Sequence, residues 1–278
     1  MISRAPDSRS VRRRALLAGG VVVLLALAAI VGPVLYDADP NVLDLARAAA
    51  PPGEGHPLGT DESGRDVLGR LLAGGRVSLA VGFAAVACSG LLGLSLGALA
   101  GLGGRRIDGL VMRLTDAMMS IPAMFLIITT LALFGTSVIG LVIAIGATSW
   151  MGLARLVRAE LMSIREQAYV EAARALGARP LRLLARHALP HLLPTVLVNL
   201  TFGVGTAILM ESALSFIGLG IQPPSASWGN MLTNAQSYLY ASPWLAVYPG
   251  LLILITVVSV NVLGDALRDA AEPADLIH

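Results

Sequence analysis

Hydrophobic positions in this chain gather into long runs separated by polar, arginine-bearing stretches. Six runs stand out: Ala15 to Tyr36, Ser78 to Leu102, Ala117 to Phe134, Ser137 to Leu153, Leu192 to Phe216 and Trp244 to Leu263. The third is the least clean. A hydrocarbon core of about 30 Å takes about 17 to 25 apolar residues of helix, so each run is long enough to cross a bilayer. The pattern predicts an all-α integral membrane protein with six transmembrane helices. Its polar intervals mark out an N-terminal tail over 1–14, a first span over 15–36 and an outer segment over 37–77 that leads into span two. A core over 78–264 follows, with spans two to six and a long polar loop at 154–190, and then a C-terminal tail over 265–278.

Composition agrees: 55% of the residues are hydrophobic and 14% charged, against about 25% charged in a soluble domain. Arginine then sets the sidedness, because short positive loops stay in the cytoplasm. Sixteen of the 20 basic residues fall in the N-terminal tail, the interval between spans two and three, the loop 154–190 and the C-terminal tail. The other four, Arg47, Arg65, Arg70 and Arg76, share the outer segment with seven acids, and the second outer segment, Gly218 to Pro243, carries no charge. Both termini are therefore expected in the cytoplasm. A basic start followed by an apolar run also describes a secretory signal, but the apolar core of a signal has about 7 to 15 residues. The longer run reads as an uncleaved anchor.

Every basic residue is arginine. Without lysine the chain can supply neither a phosphate-binding P-loop nor a Schiff base. Cys88 has no partner for an intrachain disulfide and reads as a small packing residue. His56, His187, His191 and His278 all lie outside the apolar runs, so no metal site is expected, and Ser149 has no buried histidine to activate it for hydrolysis. Glu211 is the acid set well inside a run; counted from Leu192 it falls near the outer interface, where it either makes a structural hydrogen bond or lines a pathway. Gly93, Gly97 and Gly101 form a small-residue stripe that lets helix backbones approach closely, within the chain or in a dimer.

In the loop 154–190, Tyr169, Ala172, Ala173 and Leu176 recur at helical spacing and give one small, apolar face, with Glu171, Arg174 and Arg165 on the other. Gly177 and Pro180 end that helix. Paired alanines suit a protein groove better than a lipid surface. The run from Tyr169 to Pro190, with Glu171-Ala172-Ala173, then Gly177, then His187-Ala188-Leu189-Pro190, resembles the EAA loop of ABC importer permeases. His187, where many such permeases have an aliphatic residue, is similar to the peptide subfamily. The stretches from His56 to Leu79, from Met112 to Pro122, from Glu211 to Leu232 and from Val260 to Asp269 also resemble dipeptide and oligopeptide permeases.

The resemblance implies a type I ABC importer permease with the MetI-like fold, in the bacterial cytoplasmic membrane among its lipids. It implies a second, homologous permease subunit, two ATPase subunits below and an extracytoplasmic peptide-binding protein above, with no nucleic acid partner. No cofactor is expected on this chain; ATP and Mg would sit on the partner ATPases, so the chain itself is not an enzyme. Tyr169, Glu171, Ala172, Ala173, Leu176, Gly177, His187, Leu189 and Pro190 would couple to the ATPases. A roomy path for peptides calls for small, weakly polar residues, which Asn199, Thr201, Gly205, Thr206 and Ser212, with Glu211, supply on span five; the same composition also describes helix packing. Nickel chelates and glutathione remain alternative cargoes. An ion-coupled carrier would need ionisable groups at mid-membrane, and spans two, four and six show none.

Overall fold

The computed structural model describes residues 8–36, 39–168, 170, 189–233 and 235–271. The described helices are α1 (Ser8–Leu35), α2 (Val67–Leu102), α3 (Gly104–Met119), α4 (Ala123–Phe134), α5 (Val138–Ser149), α6 (Met151–Arg165), α7 (Leu189–Phe216), α8 (Trp228–Met231) and α9 (Trp244–Ala271). Short 3-10 turns lie at Leu45–Arg47 and Ala235–Tyr238. Four helices, α1, α2, α7 and α9, are long and apolar enough to cross a membrane, and six spans result if each of two bent pairs counts as one.

Those bent pairs are where helix geometry departs from the hydropathy pattern. The run Ala117 to Phe134 is not one rod: α3 and α4 meet at 91°. Pro122 explains the break, because the residue before a proline is pushed out of the helical region. At 1.5 Å per residue the 12 residues of α4 reach about 18 Å, well short of a bilayer core. The run Ser137 to Leu153 is also divided, with α5 and α6 bent by 41° at Trp150. Helix α2 starts earlier than its apolar run, at Val67, where the Asp66 side chain accepts from the Gly69 N–H at 2.7 Å and caps the first turn.

Helix α2 is the hub, with α1, α5, α6 and α7 packed on it. Its glycine stripe faces α6. A Cβ on Gly93 would lie 2.8 Å from Leu153 Cβ, one on Gly97 2.7 Å from the Ala154 carbonyl oxygen, and one on Gly101 2.8 Å from Leu161 Cβ. The stripe is therefore an intramolecular packing seam. Cys88 is a packing residue in the same sense, since a Cβ on Gly146 of α5 would sit 2.7 Å from its own Cβ.

Helix α1 lies at the periphery, against α2 and α9. Pro33 lies inside it and has no N–H, so the carbonyl of Ala29 lacks its i+4 donor. Arg76 of α2 supplies the substitute: Nε donates to the Ala29 oxygen at 2.7 Å and Nη2 to the Ile30 oxygen at 2.5 Å. Most charges of segment 39–66 are likewise paired. Asp61 receives Arg65 Nε at 2.7 Å and Arg70 Nε at 3.3 Å, and Asp66 meets His56 Nδ1 at 2.9 Å and the Tyr36 hydroxyl at 3.1 Å. Asp61, Arg65, Asp66 and Arg70 are all buried, so the segment is a folded cap rather than a solvated linker.

Candidate functional site

Where α2, α4, α5 and α7 meet, they enclose a cavity of about 360 Å³. Its wall includes Asn199, Thr206, Gly203 and Met210 of α7, Ser89 of α2, and Thr148 and Ser149 at the end of α5. Among the described residues no charged side chain lines it. The Ser89 hydroxyl donates to the Val86 carbonyl at 3.1 Å, Thr148 to the Ala144 carbonyl at 2.7 Å and Thr206 to the Phe202 carbonyl at 3.2 Å. Each of these three hydroxyls is thus satisfied by its own helix, and with Ser149 and the Asn199 amide beside them the wall is weakly polar.

The pathway candidates on α7 are divided among faces. Asn199 and Thr206 line the cavity. Gly205 is turned toward α9, where a Cβ would lie 3.0 Å from Asn261 Oδ1. Thr201 points the same way: its methyl lies 3.4 Å from where a Cβ on Gly264 of α9 would stand, and its hydroxyl donates to the Leu197 carbonyl at 2.7 Å. Glu211 and Ser212 are buried one turn beyond the cavity, with Glu211 fully enclosed between α2 and α7. There Ser78 Oγ donates to Glu211 Oε2 at 2.9 Å and Ser215 Oγ to Oε1 at 2.8 Å. Ser89 and Thr148 are isolated hydroxyls in apolar runs, and their polarity within spans two and four is the cue the sequence carries for them.

Of the coupling candidates, Tyr169, Glu171, Ala172, Ala173, Leu176, Gly177 and His187 lie outside the described residues, while Leu189 and Pro190 open α7. The helices bracketing that segment are described. Leu153, Val157, Leu161 and Ile164 of α6 pack with Val170 and with Leu192 and Val196 of α7 in one buried cluster. Two ion pairs, Asp108 with Arg158 and Asp116 with Arg155, tie α3 to α6. The hydrogen bond from Arg158 holds the Asp108 carboxyl below the usual carboxylate range. Among the described residues no group of three or more His, Cys, Asp or Glu side chains is placed to hold a metal ion.

Residues 93–274 match the family model of the binding-protein-dependent transport system inner membrane component. The chain belongs to that family. This permease is 39% identical over 253 residues to the probable D,D-dipeptide transport system permease protein DdpC of Escherichia coli (strain K12), which covers 91% of the permease and 85% of that protein. It is 40% identical over 266 residues to a putative peptide transport system permease protein of Brucella suis biovar 1, covering 95% and 90% of the two chains. The fold is that of a chain in the inward-facing MetNI methionine ABC transporter, with a TM-score of 0.59 at 21% identity over 72% of the permease and 95% of that chain. The permease is accordingly a subunit of an ABC importer and a multi-pass protein of the bacterial inner membrane.

Proposed function

We propose that the permease forms one half of the translocation pathway of an ATP-driven importer of di- and oligopeptides. The carrying observation is the cavity between α2, α4, α5 and α7, whose wall presents hydroxyls mostly satisfied by their own helices, one amide and apolar groups but, among the described residues, no charge. Such a wall passes peptides of varied side chain without selecting among them. The relatives described as D,D-dipeptide and peptide permeases support the same cargo.

The absence of lysine, and with it of a phosphate loop, supports ATP hydrolysis on separate ATPase subunits that hold the nucleotide and Mg. In this reading a second, homologous permease completes the pore, two ATPases dock on segment 154–190 in the cytoplasm through the face of Tyr169, Ala172, Ala173 and Leu176, and a peptide-binding protein delivers cargo to the opposite side. Both termini lie in the cytoplasm, as the arginine distribution favours. ATP binding and hydrolysis alternate the access of the cavity through rigid helices.

The test is reconstitution of the complete assembly copurified from native membranes into vesicles, with uptake measured for labelled dipeptides and oligopeptides, for a nickel chelate and for glutathione. Uptake of the peptides that depends on ATP and on the binding protein is expected, with no ATP hydrolysis by the permease alone. Transport of the nickel chelate or glutathione in place of peptides would overturn the cargo, and hydrolysis by the permease alone would overturn the division of labour.

A further inference from the structure

The segment after α7, residues 217–233, doubles back against the ends of α2 and α7, and its inner side is attached to a single carboxylate. Glu211, Ser78, Ser215 and Ser227 are each no more than 1% exposed. The Ile221 N–H donates at 3.0 Å to Ser215 Oγ, which in turn donates to Glu211 Oε1. The Trp228 N–H donates at 3.1 Å to Ser78 Oγ, which donates to Glu211 Oε2. The Asn230 N–H donates at 3.1 Å to Ser227 Oγ, which caps α8 within the same segment. Two backbone N–H groups of the segment, those of Ile221 and Trp228, thus reach one side chain, each through one serine. A hydroxyl is suited to this relay because it accepts and donates at once.

The backbone around the node is fitted just as closely. A Cβ on Gly229 would stand 2.5 Å from Ser212 Cα, one on Gly220 2.6 Å from the Ser215 nitrogen, and one on Gly74 3.1 Å from the Ser227 carbonyl carbon. Trp228 Nε1 donates to the Leu71 carbonyl at 3.0 Å. The node also sits at a defined place on the pathway, on the α2–α7 seam one turn beyond the cavity, with the contact of Gly82 and Ile208 between them.

We propose that Glu211 is a positioning residue: through Ser78 and Ser215 it latches segment 217–233 to α2 and α7, so that the segment is held ready at the mouth of the pathway for the cargo-loaded binding protein. The inference rests on the family assignment and not on the cargo being a peptide. Loss of the carboxylate removes the shared acceptor of both relays and lets the segment leave its register. If docking selects the latched form, its half-saturating concentration rises in inverse proportion to the latched fraction.

The experiment uses the complete assembly with Cys88→Ala in the permease. Ala226 is 6% exposed while its neighbour Ser225 is open to solvent. Ala226→Cys is therefore expected to react with a polar maleimide at least about tenfold more slowly than Ser225→Cys, as for sites that label only after local opening. Adding Glu211→Ala should bring the two rates within a few-fold of each other, and Ser78→Ala with Ser215→Ala should do so in part. On the Glu211→Ala background the two serine changes should add nothing further, since they act through the same carboxylate. In parallel, stimulation of ATP hydrolysis by the copurified binding protein should show a half-saturating concentration about tenfold higher at an unchanged maximal rate.

Labelling of Ala226→Cys that stays slow in Glu211→Ala overturns the latch. So does fast labelling without a change in half-saturation, or independent, additive effects of the serines and Glu211. If Glu211→Ala does not accumulate in membranes, the serine pair carries the same comparison. The labelling arm needs no transport substrate, so a wrong cargo would leave it intact and show itself in uptake instead.

Discussion

Arg76 is a cation on an exposed face of a membrane helix, and its place is explained by a proline on another helix. Pro33 deprives the Ala29 carbonyl of its helical donor, Ala29 is 3% exposed, and Arg76 Nε stands 2.7 Å away. A hydrogen bond to a charged group contributes about 1.5 to 3 kcal/mol, and a carbonyl left unpaired away from water costs a similar amount. Arg76→Leu should therefore weaken the docking of α1 by about 1.5 to 3 kcal/mol, or about 10- to 150-fold. Any gain from exposing leucine to lipid enters the same measurement, so the proline supplies the control. In a Pro33→Ala background the backbone N–H returns, the Ala29 oxygen regains its i+4 donor, and Arg76→Leu should become nearly neutral. The four chains of this cycle can be compared by reversible unfolding in mixed micelles titrated with SDS, followed by tryptophan fluorescence. A coupling of about 1.5 to 3 kcal/mol is expected; an equal cost of Arg76→Leu in both backgrounds, within about 0.5 kcal/mol, would refute the account.

Gly97→Leu forces a side chain into the Ala154 oxygen and Val157, and overpacking of this kind costs about 1 to 3 kcal/mol; the variant should show lower unfolding resistance in the same assay, with Gly109→Leu, which has open space around it, as the unaffected comparison. Ala173→Trp and Gly177→Val should leave the permease inserted and paired yet reduce copurifying ATPase by about 5- to 150-fold, the equivalent of 1 to 3 kcal/mol of overpacking; normal recovery and uptake at matched membrane levels would remove this segment as the docking helix. In a Cys88→Ala background, Ser63→Cys and Ser225→Cys should label from outside intact cells and Ser10→Cys and Arg179→Cys should not; outside labelling of Arg179→Cys would refute the six-span topology.

The long helices α1, α7 and α9 are legible because each holds one uninterrupted apolar run, although α1 begins at Ser8 in the basic stretch before its run and α9 continues to Ala271, past the end of its run. The first turns of α2 are not, since Gly74, Gly75 and Arg76 lower the hydropathy there for reasons that lie elsewhere in the chain. The two glycines admit Ser227 and Trp228, and the arginine serves the Ala29 carbonyl. Pro122 was visible, but an averaged apolar window runs straight across it. On α7, Asn199, Gly203, Thr206 and Met210 follow helical spacing along one stripe, and that stripe faces the cavity. Which stripe does so depends on α2, α4 and α5, and α7 alone does not encode it. Residue counting placed Glu211 near an interface, where its charge would be cheap. It is fully buried instead, because segment 217–233 folds back over it, with Ser78 and Ser215 already at hand.

The two ends of the α2–α7 pair are built differently, and the difference has a mechanical consequence. At one end the helices are tied by the Glu211 node and the tight contact of Gly82 with Ile208. At the other, α2 is locked to α6 through Gly93, Gly97 and Gly101, whose neighbours leave no room for even a methyl group. Helix α7 meets that end through the cluster of Leu192 and Val196 with Val157 and Leu161, and carries Pro194, which frees the Pro190 carbonyl two turns from the cavity. Close-packed interiors transmit displacement rather than absorb it. If a push on the chain between α6 and α7 parts the cluster that joins them, α6 moves with α2 as one block and α7 as another. Leu153 and Leu200, one on each block, both line the cavity. With the far end fastened at Glu211, separation of the blocks would widen the cavity more at the end facing the chain between α6 and α7 than at the Glu211 end.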